Sequence, residues 1–162
     1  MVNVTVVCVG KMKEQFLKDA CAEYAKRLSA FSKLSVIELD EYRLPENPSE
    51  SQIQSALSDE ARRISTKIDP DSDSFVIAMC IEGKTLSSEK MAEKMAEVIN
   101  FGTGKFTFII GGSCGLADEI KQRADFKLSM SPMTFPHHLA RVMLLEQIYR
   151  AFMINANTKY HK

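Results

Sequence analysis

Apolar and polar positions change their spacing repeatedly along the chain, and each change marks an element. Residues 2–9, VNVTVVCV, alternate and are rich in β-branched side chains, which predicts a strand. From residue 13 to 29 the period lengthens, placing Phe16, Ala20, Tyr24 and Leu28 on one helical face. A second strand is predicted from Leu34 to Leu39, followed by YRLPENPSES, a loop with two prolines. The end of that loop, Ser49 to Gln52, fits a capping box, and Ile53, Leu57, Ile64 and Ile68 mark the helix it opens. SFVIAMCI is a continuous apolar run, as expected of a strand covered on both faces. Met91, Met95 and Val98 stripe a helix capped by Ser87 or Ser88, and KFTFII is a fourth strand. ADEIKQRA reads as a short helix and FKLSMS as a fifth strand. A long final helix is predicted from near Phe135 to about Ile154, with Thr134 as N-cap and Pro136 in its first turn.

Strands alternating with helices imply an α/β fold: a mainly parallel sheet of five to six strands with helices on both faces. No repeat, low-complexity tract or linker divides the chain, so residues 1–162 read as a single domain. In such a sheet ligands bind beyond the carboxyl ends of the strands. Three strand ends therefore draw attention: IEGK after VIAMC, GGSCG after FTFII, and PMTFP after FKLSMS. Their shared edge lets them surround one ligand. Within the second, Gly111, Ser113 and Gly115 match G-x-S-x-G, the pattern of a hydrolase nucleophile turn. The order Ser113, then Asp118 or Asp125, then His137 or His138 would complete a catalytic triad. A cofactor-side turn, in which glycine lets a ligand approach the backbone, fits the same residues. The short helix after Ser113 weighs against the hydrolase, whose nucleophile turn feeds a longer one.

Charge refines this picture only locally. Lys plus Arg and Asp plus Glu each number 21, so no global positive charge announces a nucleic-acid partner. Between Glu38 and Glu60, however, there are seven acidic residues and one basic, Arg43. From Thr134 to Lys162 there are four basic residues, one acidic residue and all three histidines, which makes that segment a candidate anion-binding surface. The four cysteines form no C-x-x-C pair and read as free thiols of a cytoplasmic protein, Cys114 included. No apolar run approaches membrane-spanning length, and the N-terminus reads as a strand instead of a signal peptide. On the final helix Arg141 falls beside Leu145, Ile148 and Phe152, where a guanidinium must be paired or face an interface. Glu146 and Arg150, spaced i, i+4, lie roughly opposite. With apolar residues almost all round, this helix is expected to bury itself against a partner subunit.

The motifs FIIGGSCGL, LSMSPMTFPHHLARVMLLEQIYRAF and the ending KYHK, with VTVVCVGKMKE, AEYAKRL and IEGKTLSSE earlier, are similar to those of the ribosomal RNA large subunit methyltransferase H family. These are small bacterial members of the trefoil-knotted SPOUT methyltransferases. The resemblance spans nearly the whole chain and is weakest over residues 40–51. It implies a C-terminal trefoil knot, a homodimer, and transfer of a methyl group from S-adenosylmethionine to N3 of a pseudouridine in helix 69 of 23S rRNA, on the ribosome. No metal or membrane is implied. Carried over by position, the cofactor site comprises Met79, Gly111, Met130, Ser131, Pro132, Met133, Thr134 and Phe135. The catalytic, RNA-facing set comprises Glu146, Arg150, Tyr160, His161 and Lys162, with His137 and Arg141 in support; His138 lies outside the pattern. On this reading the hydrolase match at Ser113 is accidental. The group that removes the N3 proton, Glu146 or His161 or solvent, stays open.

Overall fold

A computed structural model describes residues 1–68 and 73–160. Five strands, β1 (Val2–Val9), β2 (Ser32–Leu39), β3 (Phe75–Thr85), β4 (Lys105–Ile110) and β5 (Phe126–Ser129), form one sheet in the order β2-β1-β4-β3-β5, with every pairing parallel. Among the described residues there is no sixth strand. The helices are α1 (Gln15–Leu28), α2 (Glu50–Ser65), α3 (Ser88–Asn100), α4 (Asp118–Arg123) and α5 (His137–Asn155). No helix among the described residues is long and apolar enough to cross a membrane.

The central strands are mostly apolar because both of their faces are covered over most of their length. On one side Val4, Val6 and Cys8 of β1 and Phe106, Phe108 and Ile110 of β4 pack with Leu28 of α1, Met91 and Met95 of α3, and Leu144, Leu145 and Ile148 of α5. On the other, Val7, Val9 and Ile109 meet Ala61 and Ile64 of α2 and Ile120 of α4. Helix starts follow the sequence: Ser49 makes the full capping box with Gln52, and Ser87, not Ser88, caps α3. Burial pushes the Cys8 thiol up to about 12, despite the nearby Arg141 guanidinium. Because the thiolate is the nucleophile, Cys8 is expected to resist iodoacetamide at pH 8 in the native protein and to be alkylated on unfolding, as peptide mass spectrometry would record.

Five elements depart from the sequence pattern. On α1 the inward residues are Leu17, Cys21, Tyr24 and Leu28, and Phe16 is 70% exposed. The predicted stripe shares Tyr24 and Leu28 with the true one but starts one position too early. β2 begins at Ser32 instead of Leu34, where it pairs with Val2 at the start of β1. The IEGK segment is not a turn: β3 runs on to Thr85 and, after a register shift, pairs again with β5. Gly83 permits this run-on, because a Cβ there would lie 2.8 Å from the backbone carbons of Lys127 and Leu128. β5 ends at Ser129, not Ser131, and α5 starts at His137 with Pro136 as N-cap, not at Phe135 after Thr134. The residue before a proline is driven out of the helical region, so Phe135 cannot begin the helix.

Candidate active site

The carboxyl ends of β4 and β5 and the far half of β3 enclose a cleft of about 800 Å³. Its floor is the turn after β4. Gly112 and Gly115 form an isolated antiparallel bridge, with the Gly115 N–H donating to the Gly112 carbonyl at 3.0 Å. Gly111 makes this turn possible: a Cβ on it would sit 2.3 Å from the Gly115 carbonyl oxygen. The second wall is the loop from Ser129 to Pro136. There the Ser129 hydroxyl donates to the Ser131 carbonyl at 3.1 Å, and the Ser131 hydroxyl accepts from the Met133 N–H at 3.0 Å. These local bonds fix the loop conformation without regular structure. Met79 and Ile81 of β3 supply an apolar wall, and Lys121, ion-paired to Glu82, sits at the rim.

Seven of the eight residues expected at the cofactor site line this cleft: Met79, Gly111, Met130, Ser131, Met133, Thr134 and Phe135. Pro132 belongs to the same loop but is not part of the lining. His137 reaches the cleft from the first turn of α5. Its ring lies 4.2 Å from that of His138, and His137 Nε2 and His138 Nδ1 are buried without hydrogen-bond partners. Burial, then the neighbouring His137 and Arg141, lowers the His138 pKa.

Arg141 is 4% exposed and is paired inside the fold. Its Nη1 donates to Glu38 Oε2 at 2.7 Å and its Nη2 to the Gly10 carbonyl at 3.1 Å. Of the two alternatives for Arg141, pairing holds and a subunit interface does not: a charge on an apolar stripe has found its carboxylate on β2.

A second cluster lies further along α5. Arg150 and Glu146 form an ion pair at 2.6 Å, and Tyr160 folds back so that its hydroxyl donates to Glu146 Oε1 at 3.3 Å. The Tyr160 ring lies 4.8 Å from the Arg150 guanidinium and 5.0 Å, edge-on, from Tyr149. Burial first, then the Glu146 charge, raises the Tyr160 pKa. His161 and Lys162 lie outside the described residues. Glu146, Arg150 and Tyr160 are therefore brought together, but none of them lines the cleft. Along the helix axis the cluster stands about 13 Å beyond His137.

Residues 2–161 match the family model described as "Predicted SPOUT methyltransferase". The chain is 51% identical over 160 residues to the ribosomal RNA large subunit methyltransferase H of Carboxydothermus hydrogenoformans, covering 99% of each sequence. It belongs to the SPOUT methyltransferases, in the ribosomal RNA large subunit methyltransferase H family. The counterpart from Bacillus pumilus is 47% identical, again with 99% of each chain covered. The SPOUT fold is visible in a solved structure as well: the tRNA (m1G37) methyltransferase of Aquifex aeolicus superposes with a TM-score of 0.51 at 12% identity, over 92% of this chain and 69% of that one. Against this SPOUT background the hydrolase reading loses its partners. Asp125 accepts the Val76 N–H at 2.8 Å and, among the described residues, Asp118 pairs with Lys121, so neither is bonded to a histidine as the acid of a triad would be.

Sequence reasoning missed two carboxylates outside the cleft, Glu38, which pairs with Arg141, and Glu41, which meets the turn after β4. Glu38 was foreshadowed by the buried arginine, which needs a carboxylate. Glu41, whose Oε1 accepts the Ser113 N–H at 3.0 Å, sits in the acidic loop where the resemblance is weakest.

Proposed function

We propose that this protein transfers a methyl group from S-adenosylmethionine to N3 of a pseudouridine in helix 69 of 23S rRNA, acting in the cytoplasm on the ribosome. The single observation that carries the reading is the cleft, in which seven of the residues expected for the cofactor converge on one glycine turn. Its size and largely apolar lining suit a cofactor of this class. Met79, Gly111 and the loop from Met130 to Phe135 would hold the cofactor. The cofactor supplies an electrophilic methyl group on a sulfonium centre. The protein's own work is to place the acceptor nitrogen against it and to keep the two reactants aligned.

The acceptor side is the cluster on α5. Arg150 meets a phosphate and Tyr160 stacks on an extruded base, with Lys162 adding charge. Glu146 accepts from Arg150 and Tyr160 and so holds both in place, while Glu146, His161 and solvent remain the alternatives for taking the N3 proton. The whole chain acts as one catalytic domain, with a trefoil knot in its C-terminal part.

The working unit is a homodimer. Cleft and cluster do not meet within one chain, and the exposed Phe16 and Leu139 give α1 and α5 outward apolar positions for a second copy. The cleft of one protomer then works with the tail of its partner. Titration with S-adenosylmethionine by calorimetry, followed by nucleoside mass spectrometry of treated ribosomes, tests the reading. Binding with the appearance of N3-methylpseudouridine is expected. Absence of cofactor binding would overturn it.

A further inference from the structure

The turn that floors the cleft is held from outside by a residue with no counterpart in the motifs. Glu41 follows β2, and its Oε1 accepts the Ser113 backbone N–H at 3.0 Å. The contact is close at the neighbouring residue too: a Cβ on Gly112 would lie 2.9 Å from the same oxygen. The other carboxylate oxygen stands beside Gly10. A Cβ on Gly10 would meet that oxygen at 3.5 Å, His137 Nε2 at 3.0 Å and His138 Cε1 at 3.4 Å. Glu41 therefore reaches the cofactor turn and the start of α5 together.

Its backbone is fixed on both sides. The Asp40 carbonyl accepts from Arg63 Nη1 at 2.7 Å, and the Tyr42 N–H donates to the buried Glu60 at 3.0 Å. Both anchors lie on α2, so the loop residue between them is tied to a helix packed on the sheet. A side chain mounted this way is pre-organised, and the hydrogen bond it makes costs little further ordering. The bond is also charge-assisted. Burial alone would raise the Glu41 pKa, but hydrogen bonding from Ser113 and then the two histidines hold it below the usual carboxylate range.

We infer that Glu41 is a positioning residue for the methyl-transfer site: a prop that holds the Gly111–Gly115 turn in its cofactor-ready conformation through the Ser113 N–H. The inference rests on the proposed cofactor reading for its functional consequence, but the prop itself exists without cofactor. It acts on cofactor affinity and leaves turnover at saturating cofactor unchanged, because Glu41 itself does not line the cleft. It also gives the serine turn a role that needs no nucleophile: Ser113 meets Glu41 through its backbone N–H.

Three substitutions separate reach from charge. Glu41→Gln keeps the reach and a carbonyl acceptor, Glu41→Asp keeps the charge and loses the reach, and Glu41→Ala loses both. Two measurements read them. Hydrogen exchange of the peptide spanning residues 111–116, without cofactor, reports the prop directly. Calorimetric titration with S-adenosylmethionine reports its consequence. Faster exchange and a Kd raised about tenfold or more are expected for the Ala and Asp variants, with Gln between these and wild type and kcat at saturating cofactor preserved. Rescue by Asp but not by Gln would overturn the prop, as would wild-type exchange and affinity in all three. If the wild-type protein itself binds no S-adenosylmethionine, the functional reading falls and the exchange data alone decide on the prop. Should the Ala variant fail to fold, the Gln and Asp variants carry the same comparison.

Discussion

Removing residues 160–162 is expected to abolish methylation of ribosomes while leaving the affinity for S-adenosylmethionine unchanged. Tyr160 is bonded to Glu146 and lies over Arg150, and that cluster shares no residue with the cleft. Loss of the tail takes away a stacking surface and frees Arg150 and Glu146 to reorient, and misplacement of a reactant by even 1 Å costs about 100-fold in rate. Arg150→Ala is expected to lower methylation by about as much, also without touching cofactor binding. Nucleoside mass spectrometry and calorimetry measure the two properties separately. The same deletion tests the dimer. Gly111→Ala opens the turn that Gly115 closes and is expected to lose cofactor binding. When the two inactive variants are mixed and their subunits exchange, mixed two-fold dimers contain one complete site, and about a quarter of the wild-type activity should return. Activity at background, with mixed dimers confirmed by native mass spectrometry, would assign each site to a single chain.

The second large effect concerns stability. Glu38→Ala is expected to destabilise the fold by about 2–3 kcal/mol, below the usual figure for a broken buried pair because Glu38 keeps part of its surface in water. The loss strands two groups, the Arg141 guanidinium and the Met12 N–H, which donates to the same Glu38 oxygen at 2.8 Å. Chemical denaturation would report it as a lower midpoint with an unchanged slope. The pair also sets an acid limit. Burial would raise the Glu38 pKa, but the bonds from Met12 and Arg141 outweigh it and leave the folded value lowered. A carboxylate with a depressed folded pKa stabilises above its unfolded value and loses that contribution as pH falls through the folded one. Wild-type stability is therefore expected to decline below about pH 4, and Glu38→Ala to decline less steeply there.

Much of the fold is legible in the chain, and what is not has specific physical reasons. Apolar runs and alternation mark the strands because the middle of the sheet is covered on both faces, and Ser49 and Ser87 mark helix starts because their side chains bond the backbone locally. The loop after β5 can be read as a site, but its internal bonding cannot: Ser131 takes the Met133 N–H, whereas the pattern suggests Thr134 as the capping residue. β3 overruns its apolar pattern because what extends it is pairing with β5 around Gly83, a contact between residues far apart in sequence. Phe16 is misplaced because a stripe that shares half of its members with the true one has the same period. Glu38 and Glu41 escape notice because each acts across the fold, on Arg141 and on Ser113, and nothing in their own neighbourhood signals a partner.

The strand order has a consequence for how the chain folds. β4 lies between β1 and β3, so the β1–β2 pair and β3 have no backbone hydrogen bonds to each other until residues 105–110 arrive. A nascent chain that has exposed only its first hundred residues holds two separate pieces with open, apolar edges. Closure then depends on contacts between distant residues, which are slow to form and leave intermediates prone to aggregation. Refolding from denaturant should accordingly be slow, and synthesis should present the last strands before a stable sheet exists.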